Sequence, residues 1–122
     1  MTCALDATGL CLFTITALEL QDIIPMLIAV TGTGFETMQF LTVGERIFNL
    51  QRLFNLRAGL QPENERLPER FYKEPLPDGP NAGAVLNLEQ AMAEYSNLRG
   101  WDTNRIPYMG KLEKLGLAEY SI

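Results

Sequence analysis

Five of the seven prolines crowd into one stretch: Pro62, Pro68, Pro75, Pro77 and Pro80 all fall between Leu60 and Gly83. A proline fixes φ and has no N–H to donate, so this stretch is neither a regular helix nor a central strand. It reads as a long ordered loop, with one turn of helix at Pro68–Phe71. Loops of such length inside a small domain usually carry function or wrap a neighbour. Regular structure must therefore come from the two flanks.

Both flanks carry helical periodicity. Asp22 is in place to cap a helix that has Pro25 in its first turn, where a missing N–H costs little, and Gly32 should end it. In the next helix Phe40, Val43, Ile47, Leu50 and Phe54 recur at spacings of three and four, tracing one apolar stripe. Phe48, Leu53 and Leu56 widen that face. This should be the central, most buried helix, with Thr37 as its cap.

A third helix starts after Asn87, with Gln90 in capping-box spacing and a stripe of Leu88, Ala91, Met92, Tyr95 and Leu98. A short last helix covers about Met109 to Leu115. Three helices share one stop signal, a glycine followed by a large apolar residue: Gly59-Leu60, Gly100-Trp101 and Gly116-Leu117. The glycine takes the left-handed position and the next residue folds back onto the helix. The pairs so formed should be Phe54 with Leu60, Tyr95 with Trp101, and Leu112 with Leu117. No segment alternates with period two for long enough to build a sheet. The class expected is all-α: an irregular multi-helical domain with a long proline-rich ordered loop, one unit over residues 1–122.

Charge and residue counts narrow the function. Fifteen acidic against ten basic residues leave a formal charge of −5, and the basic residues are scattered. Neutralising phosphate needs a basic patch, so neither nucleic acid nor anionic lipid is an expected partner. The longest apolar run, Ile23 to Val30, is too short to span a bilayer and contains Pro25. The N-terminus lacks the basic opening of a secretory signal, so a soluble, cytoplasmic protein is expected. The chain has two cysteines and no histidine. It cannot supply Ser-His, Cys-His or His-metal chemistry by itself.

One segment has the make-up of a site: Asp6-Ala7-Thr8-Gly9-Leu10-Cys11. A carboxylate accepts hydrogen bonds from a ring that presents N–H groups along one edge. A glycine lets backbone come close to a flat ligand. A thiol two residues on is either a buried structural cysteine or a thiolate ligand. Iron–sulfur clusters take four cysteine ligands, and structural zinc takes four Cys or His. Either Cys11 ligates nothing, then, or its fellow ligands lie elsewhere. Cys3 has no motif around it and reads as an apolar filler. Glu45, Arg46, Asn49, Gln51, Arg52 and Asn55 on the central helix read as a polar face with a few satisfied core hydrogen bonds, the alternative being buried polar contacts to a cofactor or neighbouring domain. Glu63, Glu65, Glu69 and Glu74, with Arg66, Arg70 and Lys73, read as a solvated surface of the proline loop.

Asp6-x-x-Gly9-Leu10-Cys11 resembles the second pterin-binding motif of the aldehyde:ferredoxin oxidoreductase family. Similar matches follow in order: Gly44-Glu45-Arg46-Ile47-Phe48-Asn49-Leu50, Arg52-Leu53-Phe54-Asn55-Leu56-Arg57-Ala58-Gly59, and Leu67-Pro68-Glu69-Arg70-Phe71. Then come Glu74-Pro75-Leu76-Pro77-Asp78-Gly79-Pro80, Leu98-Arg99-Gly100-Trp101-Asp102, Ile106-Pro107 and the closing Lys111-Leu112-Glu113-Lys114-Leu115-Gly116-Leu117. The resemblance covers nearly the whole chain. It implies an enzyme that oxidises aldehydes to carboxylic acids at tungsten (or molybdenum) held by two pterins, with electrons leaving through a [4Fe-4S] cluster to ferredoxin. It also implies that Asp6 hydrogen-bonds one pterin, that backbone around Gly9 and Leu10 helps hold it, and that Cys11 is the fourth cluster ligand and an electron relay.

The family's other three cluster cysteines, its first pterin motif and its active-site histidine lie upstream of the part matched. The chain is thus expected to be a C-terminal portion whose partner is the upstream domains of the same enzyme, inactive and cofactor-free in isolation, and prone to self-association. The competing expectation is a cofactor-free helical interaction module that keeps the family scaffold. Two local departures stand out: Arg105 where the family often has glycine, and Tyr108-Met109-Gly110 in place of a better helix start.

Overall fold

A computed structural model describes residues 1–122, the side chain of Pro62 excepted. Six helices follow in order: α1 (Thr2–Asp6), α2 (Leu20–Thr31), α3 (Thr37–Arg57), α4 (Arg70–Lys73), α5 (Leu88–Arg99) and α6 (Met109–Leu115). Single 3-10 turns cover Leu12–Thr16, Pro62–Asn64 and Ala118–Tyr120. Extended pairing among the described residues is limited to one isolated bridge between Trp101 and Pro107. The fold is all-α, as the periodicity predicts.

α3 is the spine, about 30 Å long at 1.5 Å per residue. The apolar core forms two clusters along it. Ala4, Ile24 and Phe40 join α1, α2 and the start of α3, with Leu20, Leu27 and Phe35 packed against them. Leu53, Leu112, Leu115 and Leu117 join the second half of α3 to α6. Arg46 Nε donates to the Leu115 carbonyl (2.7 Å), and Lys111 pairs with Glu45, so charged groups also fasten α6 to α3. α1 has no counterpart in the sequence reading, because five residues are too few to show a period. It crosses α3 at Gly44, where an added Cβ would lie 2.8 Å from Ala4 Cβ and 2.9 Å from Ala4 N.

The helix ends follow the local signals closely. Leu60, Trp101 and Leu117 donate their N–H to the carbonyls of Asn55, Ser96 and Leu112, while the preceding glycines, all at positive φ, bond to Leu56, Asn97 and Glu113. These are three complete Schellman closures. Tyr95 meets Trp101 edge-on at 5.8 Å, and Leu112 and Leu117 share a cluster. Phe54, by contrast, is 71% exposed. Asn87 caps α5 by accepting from the Gln90 N–H (3.2 Å). The other two starts differ from expectation. Glu19, not Asp22, caps α2, and Asp22 closes the box by accepting the Glu19 N–H (2.9 Å). Pro25 consequently lies in the second turn. Glu36 caps α3 in the same way with Gln39, one residue before Thr37.

The larger correction concerns the buried face of α3. Phe40, Gly44, Asn49, Arg52 and Leu53 are buried, whereas Leu50 is 42% exposed and Phe54 more so. At about 100° per residue the buried arc and the Phe40–Phe54 stripe meet only at Phe40, although Leu53, expected to widen that face, is buried as expected. α1, α6 and the turn at Trp101 approach from the arc, and the C-terminal half of the stripe is left open. α5 departs similarly: Ser96 is buried, and Leu98 is 85% exposed.

The proline-rich segment is an ordered loop. Its helical turn, α4, lies two residues later than expected. Leu76 N donates to Ala84 O (3.0 Å), Gly83 N to Leu76 O (2.9 Å) and Leu86 N to Phe71 O (3.1 Å), so its backbone bonds close on itself. Most of its side chains are exposed. No helix among the described residues is long and apolar enough to cross a membrane.

Candidate functional site

The site-like segment begins on the last residue of α1. Leu5 is buried and its carbonyl accepts both the Thr8 N–H (2.9 Å) and the Thr8 hydroxyl (2.7 Å), while Gly9 N donates to Asp6 O (3.1 Å). Thr8 Oγ1 in turn accepts the Leu10 N–H (3.1 Å). Gly9 lies at φ +79° with nothing within 4 Å of where a Cβ would sit. A left-handed glycine is needed to turn the chain there, and the space above it is open. Cys11 is extended and opens the 3-10 turn, its carbonyl accepting from Thr14 N (2.9 Å) and Thr14 Oγ1 (2.8 Å).

Asp6, Gly9 and Cys11 are exposed, and Leu10 is half-buried. The Asp6 carboxylate has no partner among the described residues. Cys11 carries a free thiol on the surface rather than a packed structural one, and Cys3 is half-buried on α1. No three His, Cys, Asp or Glu side chains gather to hold a metal among the described residues. The donor set therefore fits one ligand of a shared centre and one hydrogen-bond acceptor. The close α1–α3 crossing at Gly44 holds this segment against the spine.

A second polar group lies at the far end of α3. Asn49, fully buried, accepts from Trp101 Nε1 (2.9 Å) and donates to Glu45 O (2.9 Å). Arg52, 5% exposed, donates from Nε to Arg105 O (2.9 Å) and pairs through Nη1 with Glu65. Arg105 Nη1 binds the other Glu65 oxygen at 2.8 Å. Burial pushes the Glu65 carboxyl up, but the hydrogen bonds and charges of Arg52 and Arg105 outweigh it and hold the group below its ordinary value. Asn49 is the satisfied core contact expected of α3, whereas Arg52 is paired through Nε and Nη1 and keeps its buried Nη2 without a hydrogen-bond partner among the described residues. Glu65 departs from the solvated loop surface expected of it.

Arg105 is a non-glycine residue at φ +59°, in the turn closed by Asp102 Oδ1, which accepts from Asn104 N and Ile106 N (both 2.8 Å). The glycine expected there from the family resemblance was the one sequence signal that pointed to this group. Beside it opens a cleft of about 740 Å³ whose walls include Tyr72, Leu88, Met92, Trp101 and Tyr108.

The family profile described as "Aldehyde ferredoxin oxidoreductase, domains 2 & 3" matches residues 1–117. This chain belongs to the aldehyde ferredoxin oxidoreductase family. It is 48% identical over 122 residues to the tungsten-containing aldehyde ferredoxin oxidoreductase of Thermococcus kodakarensis, and 46% identical to that of Pyrococcus furiosus. It is also 34% identical over 123 residues to the WOR-like subunit of an aliphatic sulfonate oxidoreductase of Pyrococcus furiosus. The matches take in 98%, 98% and 93% of this chain but 20%, 20% and 19% of those proteins. The chain spans about a fifth of the length of these aldehyde ferredoxin oxidoreductase relatives.

Proposed function

We propose that this chain is the C-terminal helical domain, residues 1–122, of an oxidoreductase that converts aldehydes to carboxylic acids and passes the electrons to ferredoxin. In that enzyme a tungsten (or molybdenum) bis-pterin supplies two-electron oxidation, and a [4Fe-4S] cluster supplies one-electron exits. Asp6 accepts hydrogen bonds from ring N–H groups of one pterin, and being acceptor-only it fixes which edge of the ring faces the protein. Gly9, with no Cβ, lets the ring approach the turn, and backbone around Leu10 completes that contact. Cys11 gives one thiolate to the cluster, and its place five residues after Asp6 makes it the covalent path between the two groups. The remaining cluster ligands, the other pterin contacts and the substrate pocket come from upstream domains.

The observation that carries this reading is the pairing of a surface thiol with an unpartnered surface carboxylate in one turn, inside a chain whose family match runs almost from end to end. The test is made in the full-length polypeptide that carries this segment. Cys11→Ser should lose bound iron, the signal of the reduced cluster and ferredoxin-linked aldehyde oxidation, while Cys3→Ser keeps all three. A Cys11→Ser enzyme with full iron and an unchanged cluster spectrum would refute the assignment.

A further inference from the structure

The Glu65 contacts have a consequence for the loop that follows. Among the described residues, the backbone hydrogen bonds of segment 66–86 close within the segment except where Leu88 N, at the start of α5, donates to Leu86 O (3.1 Å), and most of its side chains are in solvent. Glu65, at its head, is held by Arg52 on α3 and by Arg105 in the Trp101–Pro107 turn. Behind the segment, between it, α5 and that turn, lies the 740 Å³ cleft. A carboxylate held between two guanidiniums, one of them 95% buried, is a strong point of attachment in an otherwise weakly attached stretch.

We infer that segment 66–86 is a hinged strap over this cleft and that Glu65 is its latch. The latch is closed when Glu65 bridges Arg52 and Arg105. It opens when the carboxylate leaves them, and the strap then swings from α5 and widens the cleft while the helices stay folded. Trp101 reports the change. It is the chain's one tryptophan, it is buried, and the Arg52 guanidinium lies 5.0 Å from its ring centre, so freeing Arg52 uncovers the indole. Arg105 tunes the latch, since its left-handed backbone is a strain that glycine would relieve while removing one of the two arms.

The strap carries exposed tryptic sites at Arg66, Arg70 and Lys73, and the helices carry others at Arg99, Lys111 and Lys114. In the intact protein, Glu65→Gln should speed cleavage at the strap sites by about tenfold or more over the helix sites, as a local opening does. It should also raise acrylamide quenching of Trp101 with the helical circular dichroism unchanged. Arg105→Gly should act in the same direction but less, and it decides the matter alone if Glu65→Gln does not fold. Equal acceleration at both sets of sites would mean that Glu65 merely supports the core, and unchanged strap cleavage would mean that it latches nothing. Either result overturns the proposal.

Discussion

A glycine inside a helix costs about 1 kcal/mol relative to alanine, and Gly44 stands near the middle of the longest helix. The structure gives the reason: Ala4 of α1 lies against it, backbone included. The neighbouring atoms at 2.8 and 2.9 Å cannot yield by rotating a side chain. Gly44→Ala should therefore force α1 away, at the ~1–3 kcal/mol typical of overpacking, which exceeds the gain in helix propensity. Thermal unfolding should show a lower midpoint, and hydrogen exchange should rise first in α1, the element that carries Asp6. A higher midpoint would mean that the crossing is looser than it looks. The sequence displayed Gly44 inside a recognisable motif but gave no reason for glycine, because the residue it makes room for belongs to a helix too short to show a pattern. The segment from Asp6 to Cys11 stood out in the sequence for the opposite reason, since the chemistry proposed for it depends on six consecutive residues.

Helix stops were readable, helix starts only in part, and helix faces least of all. A Schellman closure involves one glycine and its local neighbours, so Gly59, Gly100 and Gly116 announced themselves. Which side of α3 is buried depends on where α1, α6 and the Trp101 turn arrive, and the Leu50–Phe54 stripe looked equally suitable. Attachment of the proline loop was hidden for the same reason, because Glu65 meets Arg52 and Arg105 from 13 and 40 residues away. Those two cations face Glu65, from α3 and from the turn, and they lower its pKa against the effect of burial. A carboxyl with a lowered folded pKa adds stability that is present above its unfolded value and is lost as pH falls through the folded one. The loop's attachment should thus hold through neutral pH and persist below the ordinary glutamate range before acid releases it. Hydrogen exchange across residues 61–66 against pH would show that transition, and Glu65→Gln should abolish it. Release at the usual glutamate pKa would contradict the double pairing.

The whole chain exposes more apolar surface than a self-sufficient domain needs. Phe13, Val30, Phe54 and Leu98 are each more than two-thirds exposed, and they are spread over the N-terminal turn, α2, α3 and α5 rather than gathered at one edge. Scattered exposed leucines are ordinary, but large aromatic and aliphatic groups bare on several elements at once mark surface that something else covers. The chain spans a fifth of its relatives, so the rest of such an enzyme is the natural cover. The shared centre proposed for Cys11 would add a second dependence, because one thiolate cannot hold a four-ligand cluster and ligands must be presented together. Purified alone, the 122-residue chain should therefore self-associate as its concentration rises and carry no stoichiometric iron or acid-labile sulfide. Sedimentation with iron analysis on the same sample tests both. A monodisperse monomer at high concentration would show that these apolar faces need no partner, and a full cluster in the isolated chain would show that Cys11 does not depend on upstream cysteines.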